Sequence, residues 1–359
     1  MHIGLLLAYF GITAGDLDTP EPVLAKLHSR AVGPLAENYA GIVLLNQAWL
    51  EYRRGNTARC GMLLRDSLRR STDPRQFFRY AWYGSALSEL LPFALTQSIE
   101  PDIAVRLIRT YQVSPRDDVP LQWPWPVKVI TLGRFEVLLD DAPLHFSRKA
   151  PRKTLALLKL VAAYGERAMP ESQLLDALWP DEDGDAAHRA LTATVHRLRT
   201  LLGDPTILRQ RNGALCLNRE KCWVDVYCFD ALSKEGSFSA REKALTLYQG
   251  AFLPEDDWPW ALSRREKLRV RYIELVARHG AELERAGDAE SAARCYAKGL
   301  EADDLVESFY QGLMRCHQAL GREDAARATF RRCRETLRGK LAQNPSSTTL
   351  QLAGTIAVP

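Results

Sequence analysis

The order of the elements expected between Val127 and Leu217 most constrains how this chain can fold. Runs of alternating apolar residues predict three short strands at Val127–Gly133, Phe135–Asp140 and Leu144–Phe146. Apolar residues at helical spacing predict three helices at Lys153–Tyr164, Pro170–Trp179 and Asp185–Leu202. A hairpin should follow, because Asn212-Gly213 stands between the short apolar runs Ile207–Gln210 and Ala214–Leu217. A small sheet, three helices and a hairpin together predict a winged helix-turn-helix.

The third of these helices has two different sides. Its buried side is predicted by an apolar stripe at Leu191, Val195, Leu198 and Leu202. The opposite side carries Arg189, Ala193, His196, Arg197 and Thr200, with Thr192 and Arg199 at its flank. Arginine pairs with guanine edges and phosphates, and short side chains let a helix enter the major groove of DNA. The alternative is an ordinary amphipathic helix with a solvated basic face.

Charge is segregated around this helix, although the whole chain has a net charge of only +4. The hairpin contributes Arg209, a candidate phosphate contact like Arg199, and Arg211, whose place at the tip suits the minor groove. The loop before the helix is acidic, with Asp181, Glu182, Asp183 and Asp185. These carboxylates could face RNA polymerase, or they could cap the helix and keep the loop away from DNA. The basic run Arg148, Lys149, Arg152 and Lys153 could touch phosphates or simply be solvated.

The flanking regions read as helical repeats. Residues 1–113 are expected to be almost entirely helical, with a helical hairpin at Tyr39–Arg70 of tetratricopeptide type. Residues 114–126 form a linker rich in proline, partly docked through Trp123 and Trp125. After residue 225 the pattern Gly287–Tyr296 recurs at Gly321–Phe330, and this offset of 34 residues is the tetratricopeptide period. The expected fold is therefore mainly α, a winged helix-turn-helix with small sheets flanked by tetratricopeptide-like regions.

Composition limits the class of protein. A chain of 359 residues with 46% hydrophobic and 26% charged residues suits two or three globular domains. The seven cysteines form no CxxC and no zinc spacing, which favours a reducing cytoplasm. The apolar run near Met1 is too short to span a bilayer and lacks a basic start, so we expect neither a signal peptide nor a membrane partner. Phosphate-loop, metalloprotease and serine-hydrolase motifs are absent, so we expect no enzyme, no cofactor and no metal.

Two stretches resemble known families. Residues 127–220 resemble the OmpR/PhoB-type winged-helix DNA-binding domain in the initial sheet, in HRLRTLLG at the end of the third helix and in the Arg-Asn-Gly of the hairpin. Residues 225–355 resemble the bacterial transcriptional activator domain in WVDVYCFDAL, KALTLYQGAFLPEDD and LRGKLAQNPSSTTLQL. Together they look like SARP-type regulators, and the N-terminal helices are similar to the repeat region of MalT-like regulators.

The resemblance implies binding to direct repeats in promoter DNA and recruitment of RNA polymerase. By matching positions it places DNA contacts at Arg189, Thr194, His196, Arg197, Arg199 and Arg211. Helical spacing puts Thr194 nearer the buried side and Thr192 nearer the open side, so the two lines of reasoning differ there. The wing lacks the tyrosine usual after its glycine, having Gly213-Ala214-Leu215. No receiver domain is evident, so a phosphorelay role would come only through the family.

Two alternatives remain at this point. The winged helix could be a protein-docking module in an interaction scaffold, which predicts no DNA binding at any salt concentration. The chain could also be the C-terminal part of a larger signal-dependent ATPase regulator. In the favoured reading the protein is a cytoplasmic regulator whose helical repeats support self-association, possible dimerisation on DNA, or contacts with polymerase or an effector.

Overall fold

The computed structural model describes residues 2–29, 36–70, 84–115, 122–145, 151–165 and 167–356. The chain divides into two compact units, Met1–Trp125 and Pro126–Pro359, and each is described by itself. Helices dominate both units and the sheets are small. The mainly α fold with a winged helix, predicted from the sequence, is confirmed.

The first unit is built from helices. Its described helices are α1 (His2–Ala14), α2 (Pro20–Ser29), α3 (Ala36–Arg53), α4 (Thr57–Arg70), α5 (Gly84–Thr96) and α6 (Pro101–Tyr111). The predicted helical hairpin corresponds to α3 and α4, and Gly55 takes a positive φ of 79° in the turn between them. Trp49 is fully buried and its Nε1 donates to Glu89 Oε2 at 2.9 Å, which joins α3 to α5. Trp123 and Trp125 are both buried, as expected of a docked linker.

The second unit begins with a four-stranded sheet. Its strands are β1 (Val127–Ile130), β2 (Glu136–Leu139), β3 (Ala142–Pro143) and β7 (Cys222–Val224), in the order β3-β2-β1-β7. The third predicted strand, Leu144–Phe146, is corrected to β3, and Phe146 lies outside the described residues. The strand starts earlier because Asp140 and Asp141, both at positive φ, turn the chain in only two residues. The parallel pairing of β7 with β1 was not predicted.

The winged helix follows in the predicted order. It consists of α7 (Arg152–Tyr164), β4 (Met169–Pro170), α8 (Glu171–Leu178), α9 (Gly184–Leu201), β5 (Leu208–Arg211) and β6 (Ala214–Leu217). Asn212 and Gly213 both have positive φ, 50° and 66°, as the predicted tight hairpin requires. β6 also pairs with β4, through Ala214 and Leu215 next to the turn, so the hairpin belongs to a three-stranded sheet.

The remaining helices stack as successive pairs. They are α10 (Asp225–Glu235), α11 (Phe238–Leu247), α12 (Pro259–Arg285), α13 (Ala289–Ala302), α14 (Glu307–Ala319), α15 (Glu323–Leu341) and α16 (Ser347–Ile356). The repeated glycines Gly287 and Gly321 have positive φ in the turns that precede α13 and α15. The repeated alanines, Ala292 and Ala326, are fully buried. The two copies of the 34-residue repeat therefore share the same glycine turn and the same buried small residue.

The winged helix and the helices α10 to α15 share one hydrophobic core. Asp225, at the start of α10, is buried and accepts hydrogen bonds from the amides of Thr131 and Leu132 at 2.7 and 2.8 Å. The Thr131 hydroxyl donates to the same carboxylate at 2.6 Å. On α7, Lys159 Nζ pairs with Asp256 Oδ2 at 2.7 Å. The elements of the second unit are thus bound together by buried polar contacts as well as by apolar packing.

Candidate nucleic-acid interface

Helix α9 is anchored by its predicted apolar stripe. Leu191, Val195, Leu198 and Leu202 are all at most 6% exposed. Asp183 caps the helix, since its Oδ1 accepts the Ala186 amide at 2.8 Å. The buried stripe and the cap fix which side of the helix faces outward.

The outward side of α9 carries side chains without internal partners. Arg189, His196 and Arg197 are exposed, and among the residues that the structure describes none offers their side chains a hydrogen bond or an ion pair. Thr192 is also exposed, and its hydroxyl donates to the carbonyl of His188 at 3.0 Å. The arginines are therefore free to bind an external group, which is the condition for reading DNA.

Two of the predicted DNA contacts, Thr194 and Arg199, have partners inside the protein. Thr194 is buried, 3% exposed, and its hydroxyl donates to the Ala190 carbonyl at 2.7 Å. Arg199 donates through Nη2 to the carbonyl of Leu208 at 3.0 Å, and its Nε is buried. The reason is helix geometry: Thr194 lies one turn after Leu191 and one turn before Leu198 on the buried side, and Arg199 points toward β5. We therefore correct the candidate interface by leaving both out: Arg199 joins the helix to the hairpin.

The hairpin presents the two predicted arginines. Arg211 ends β5 immediately before the turn and is exposed, with no side-chain partner in the described part of the chain. Arg209 forms an ion pair with Glu220 at 3.0 Å, and both side chains are about half exposed. Ala214, which follows Gly213 where the family has tyrosine, is half-buried and pairs with Pro170 in the sheet. An apolar residue thus closes the wing in place of the aromatic one.

The other charged candidates lie on either side of this surface. Lys153 donates to the carbonyl of Leu178 and lies over the ring of Trp179, so it stabilises the end of α8. Arg152 is exposed, whereas Arg148 and Lys149 lie outside the described residues. The acidic side chains of Asp181, Glu182, Asp183 and Asp185 are all exposed. Of these, Asp183 has the capping role that the sequence offered as one reading.

The sequence reasoning missed Glu171. This residue begins α8, and its Oε1 accepts the Nε2 group of Gln210 in the wing at 2.6 Å. Its Oε2 lies 3.8 Å from Nδ1 of His188 on α9. An acid in the first turn of a helix is ordinarily explained by the helix dipole, so no sequence signal distinguished this one.

The described ranges lack two further features. Nowhere in them do three or more His, Cys, Asp or Glu side chains gather to form a possible metal site. Nor does any helix there have the length and apolar character needed to cross a bilayer.

The comparisons with known proteins agree with this geometry. Residues 148–213 match the family model described as transcriptional regulatory protein, C terminal, and residues 230–357 match the bacterial transcriptional activator domain. A comparison with curated proteins gave no match. A solved structure of Mycobacterium tuberculosis EmbR in complex with a low affinity phosphopeptide is similar over 65% of this chain, with 20% identity and a TM-score of 0.48. The similar region spans 65% of that EmbR chain.

A winged helix followed by a transcriptional activator domain defines a bacterial transcriptional regulator. Both matched families are transcription regulators rather than enzymes. Their order along the chain is that of SARP-type regulators, so the resemblance to that family is confirmed.

Proposed function

We propose that this chain is a cytoplasmic, sequence-specific DNA-binding regulator that activates transcription. One observation carries the proposal: the apolar side of α9 is buried, while Arg189, His196 and Arg197 are exposed and unpartnered among the described residues. A protein-docking face has no need of arginines aligned on one side of a helix. The double-stranded promoter is therefore the proposed partner.

In the proposed complex α9 enters the major groove. Arg189 and Arg197 donate to guanine edges or phosphates, and His196 and Thr192 contact the same groove. Arg211, at the tip of the wing, enters the adjacent minor groove, whose negative potential attracts arginine. Arg209 neutralises a phosphate, for which it exchanges its exposed pairing with Glu220.

The finer features of the function come from family resemblance. Direct repeats in the promoter would place two copies of the chain side by side, and the helical repeats would support this self-association. The exposed loop Asp181–Asp185 offers RNA polymerase a negatively charged surface. The loop fits this role because its charge repels DNA phosphates and leaves it facing away from the duplex.

The test is selection of duplexes from a random pool by the purified full chain, at several salt concentrations. We expect enrichment of one sequence motif, with retention that falls steeply as salt rises. The double variant Arg189→Ala with Arg197→Ala should enrich no motif. Arg278→Ala, which removes an exposed arginine from α12, is the matched control and should enrich the same motif as the unchanged chain.

Absence of any retained duplex, even at low salt, would reject the proposal and favour the interaction scaffold. Selection of DNA by the unchanged chain and by the double variant alike would reject α9 as the reading element.

A further inference from the structure

The wing and the recognition helix meet at one carboxylate. Glu171 is the first residue of α8, and its side chain is 21% exposed. Its backbone amide, one of those that a helix start leaves unpaired, donates to the carbonyl of Gly213 in the wing turn at 2.8 Å. Both the backbone and the side chain of this residue are therefore committed to its surroundings.

The side chain of Glu171 bridges the two proposed reading elements. One oxygen accepts from Gln210 of β5 at 2.6 Å, and the other lies 3.8 Å from the imidazole of His188 on α9. Each partner directly precedes a proposed DNA contact, since Gln210 is followed by Arg211 and His188 by Arg189. The carboxylate thus lies beside the residue that precedes each of the two arginines.

Such a bridge matters because the wing is short. Each of its strands has four residues, and β4 pairs with β6 on one side of the sheet, so β5 is the edge strand and pairs in the sheet with β6 alone. Arg211 is the last residue of this edge strand. A contact that limits the movement of β5 lowers the entropy lost when Arg211 enters a groove at the same time as α9 binds.

We propose that Glu171 is a positioning residue, which holds the wing at a fixed distance from α9 so that Arg189 and Arg211 bind one duplex together. The proposal rests on the proposed function. It goes beyond it by assigning the geometry between the two reading elements to one side chain that does not touch DNA.

The experiment is a double-mutant cycle in the full chain, using the duplex that the unchanged chain selects. Arg211→Ala should weaken binding about tenfold in the unchanged chain, but only about two- to threefold when Glu171→Ala is also present. Arg197→Ala should have the same effect with and without Glu171→Ala, since α9 itself is anchored by its own apolar stripe. Asp176→Ala, which removes an exposed carboxylate from the same helix, is the charge-matched control and should leave the effect of Arg211→Ala at about tenfold.

A conservative variant and a second route separate positioning from general stability. Glu171→Gln keeps an oxygen that can accept from Gln210 and should restore most of the coupling. Gln210→Ala breaks the same bridge from the wing while the carboxylate stays in the first turn of α8, and it should reduce the effect of Arg211→Ala as Glu171→Ala does. If Glu171→Ala loses helical circular dichroism, the Gln210→Ala cycle decides alone.

An equal effect of Arg211→Ala in every background overturns the positioning role. It is also overturned if Arg211→Ala changes nothing while Arg197→Ala weakens binding, and in that case DNA reading by α9 still stands. If neither arginine affects binding, the proposed function itself fails.

Discussion

At the scale of single residues, Arg197 is the most direct test of base reading. It is exposed near the middle of α9 and has no partner in the described ranges. Arg197→Ala should therefore cost about 1–3 kcal/mol of binding free energy at the selected site and relax base preference at one position. Fluorescence anisotropy with the selected duplex and its single-base variants measures both effects.

The control for this prediction is Arg278→Ala, which makes the same change of charge away from the winged helix. Unchanged affinity and unchanged preference in Arg197→Ala would contradict the assignment of α9 to the major groove.

Arg209 should behave differently because its proposed partner is a phosphate. Arg209→Ala should weaken binding to all sequences about equally and reduce the slope of log K against log salt by about one unit. A salt titration with selected and random duplexes gives the slope. A loss confined to the selected duplex would show that Arg209 reads bases instead.

The residue scale also shows what the sequence could establish. The period of α9 correctly separated Arg189, His196 and Arg197 from the buried stripe. Position matching alone suggested Thr194, which the structure buries, because matching assigns roles without knowing which side of the helix is covered. Arg199 could not be predicted, since its partner is a carbonyl of β5 that only tertiary folding brings within 3.0 Å.

At the scale of elements, the helices α12, α13 and α14 pack around Tyr296, whose ring lies between two glycines. A Cβ added at Gly280 of α12 or at Gly312 of α14 would come within 2.5 Å of the Tyr296 ring. The hydroxyl of Tyr296 donates to Glu284 at 2.5 Å, and Arg315 pairs with the same carboxylate at 2.8 Å. The ring is therefore confined by the two glycines and by the hydrogen bond of its hydroxyl, and α12, α13 and α14 pack closely around it.

Gly312→Ala should for this reason destabilise the protein. The added methyl group meets a ring that is fixed at both ends, and overpacking of this kind costs about 1–3 kcal/mol. Thermal or urea unfolding of the full chain measures the change in the free energy of unfolding.

The matched control is Gly339→Ala in α15, where a Cβ meets nothing within 4 Å. In that open position alanine should stabilise the helix by about 0.5–1 kcal/mol. Equal stability of the two variants would mean that the tyrosine has room to shift.

The elements themselves were mostly predictable. Helices and the wing followed from period and turn residues, because both signals are local. The exceptions are β3, which was expected two residues too late, and β4 and β7, which were not expected at all. A strand of three residues pairing with another far along the sequence leaves no local period to read.

At the scale of the whole molecule, Asp225 joins the sheet of the winged helix to the first activator helix. Burial raises the pKa of Asp225, and the hydrogen bonds from Thr131, Leu132 and Val226 act against that rise. Asp225→Asn would place an amide group against these donors, so it should lower the free energy of unfolding by about 1–3 kcal/mol.

Because one core runs through the second unit, amides in α9 and α13 should lose protection together in the Asp225→Asn variant. Hydrogen exchange of the full chain followed by mass spectrometry measures this, with Asp257→Asn at an exposed acid as the control. Loss of protection in α9 alone would show that the two parts open independently.

The pairing of β7 with β1 decides where this molecule can be cut. A fragment that stops at residue 220 keeps every arginine proposed to touch DNA, yet it strips one whole edge of the strand Val127–Ile130 of its neighbour. An unpaired strand edge of this kind can pair with strands of other copies. Such a fragment would therefore aggregate instead of binding promoter DNA. The smallest fragment that folds and binds DNA on its own must therefore extend past the hairpin to include β7 and the first turn of α10.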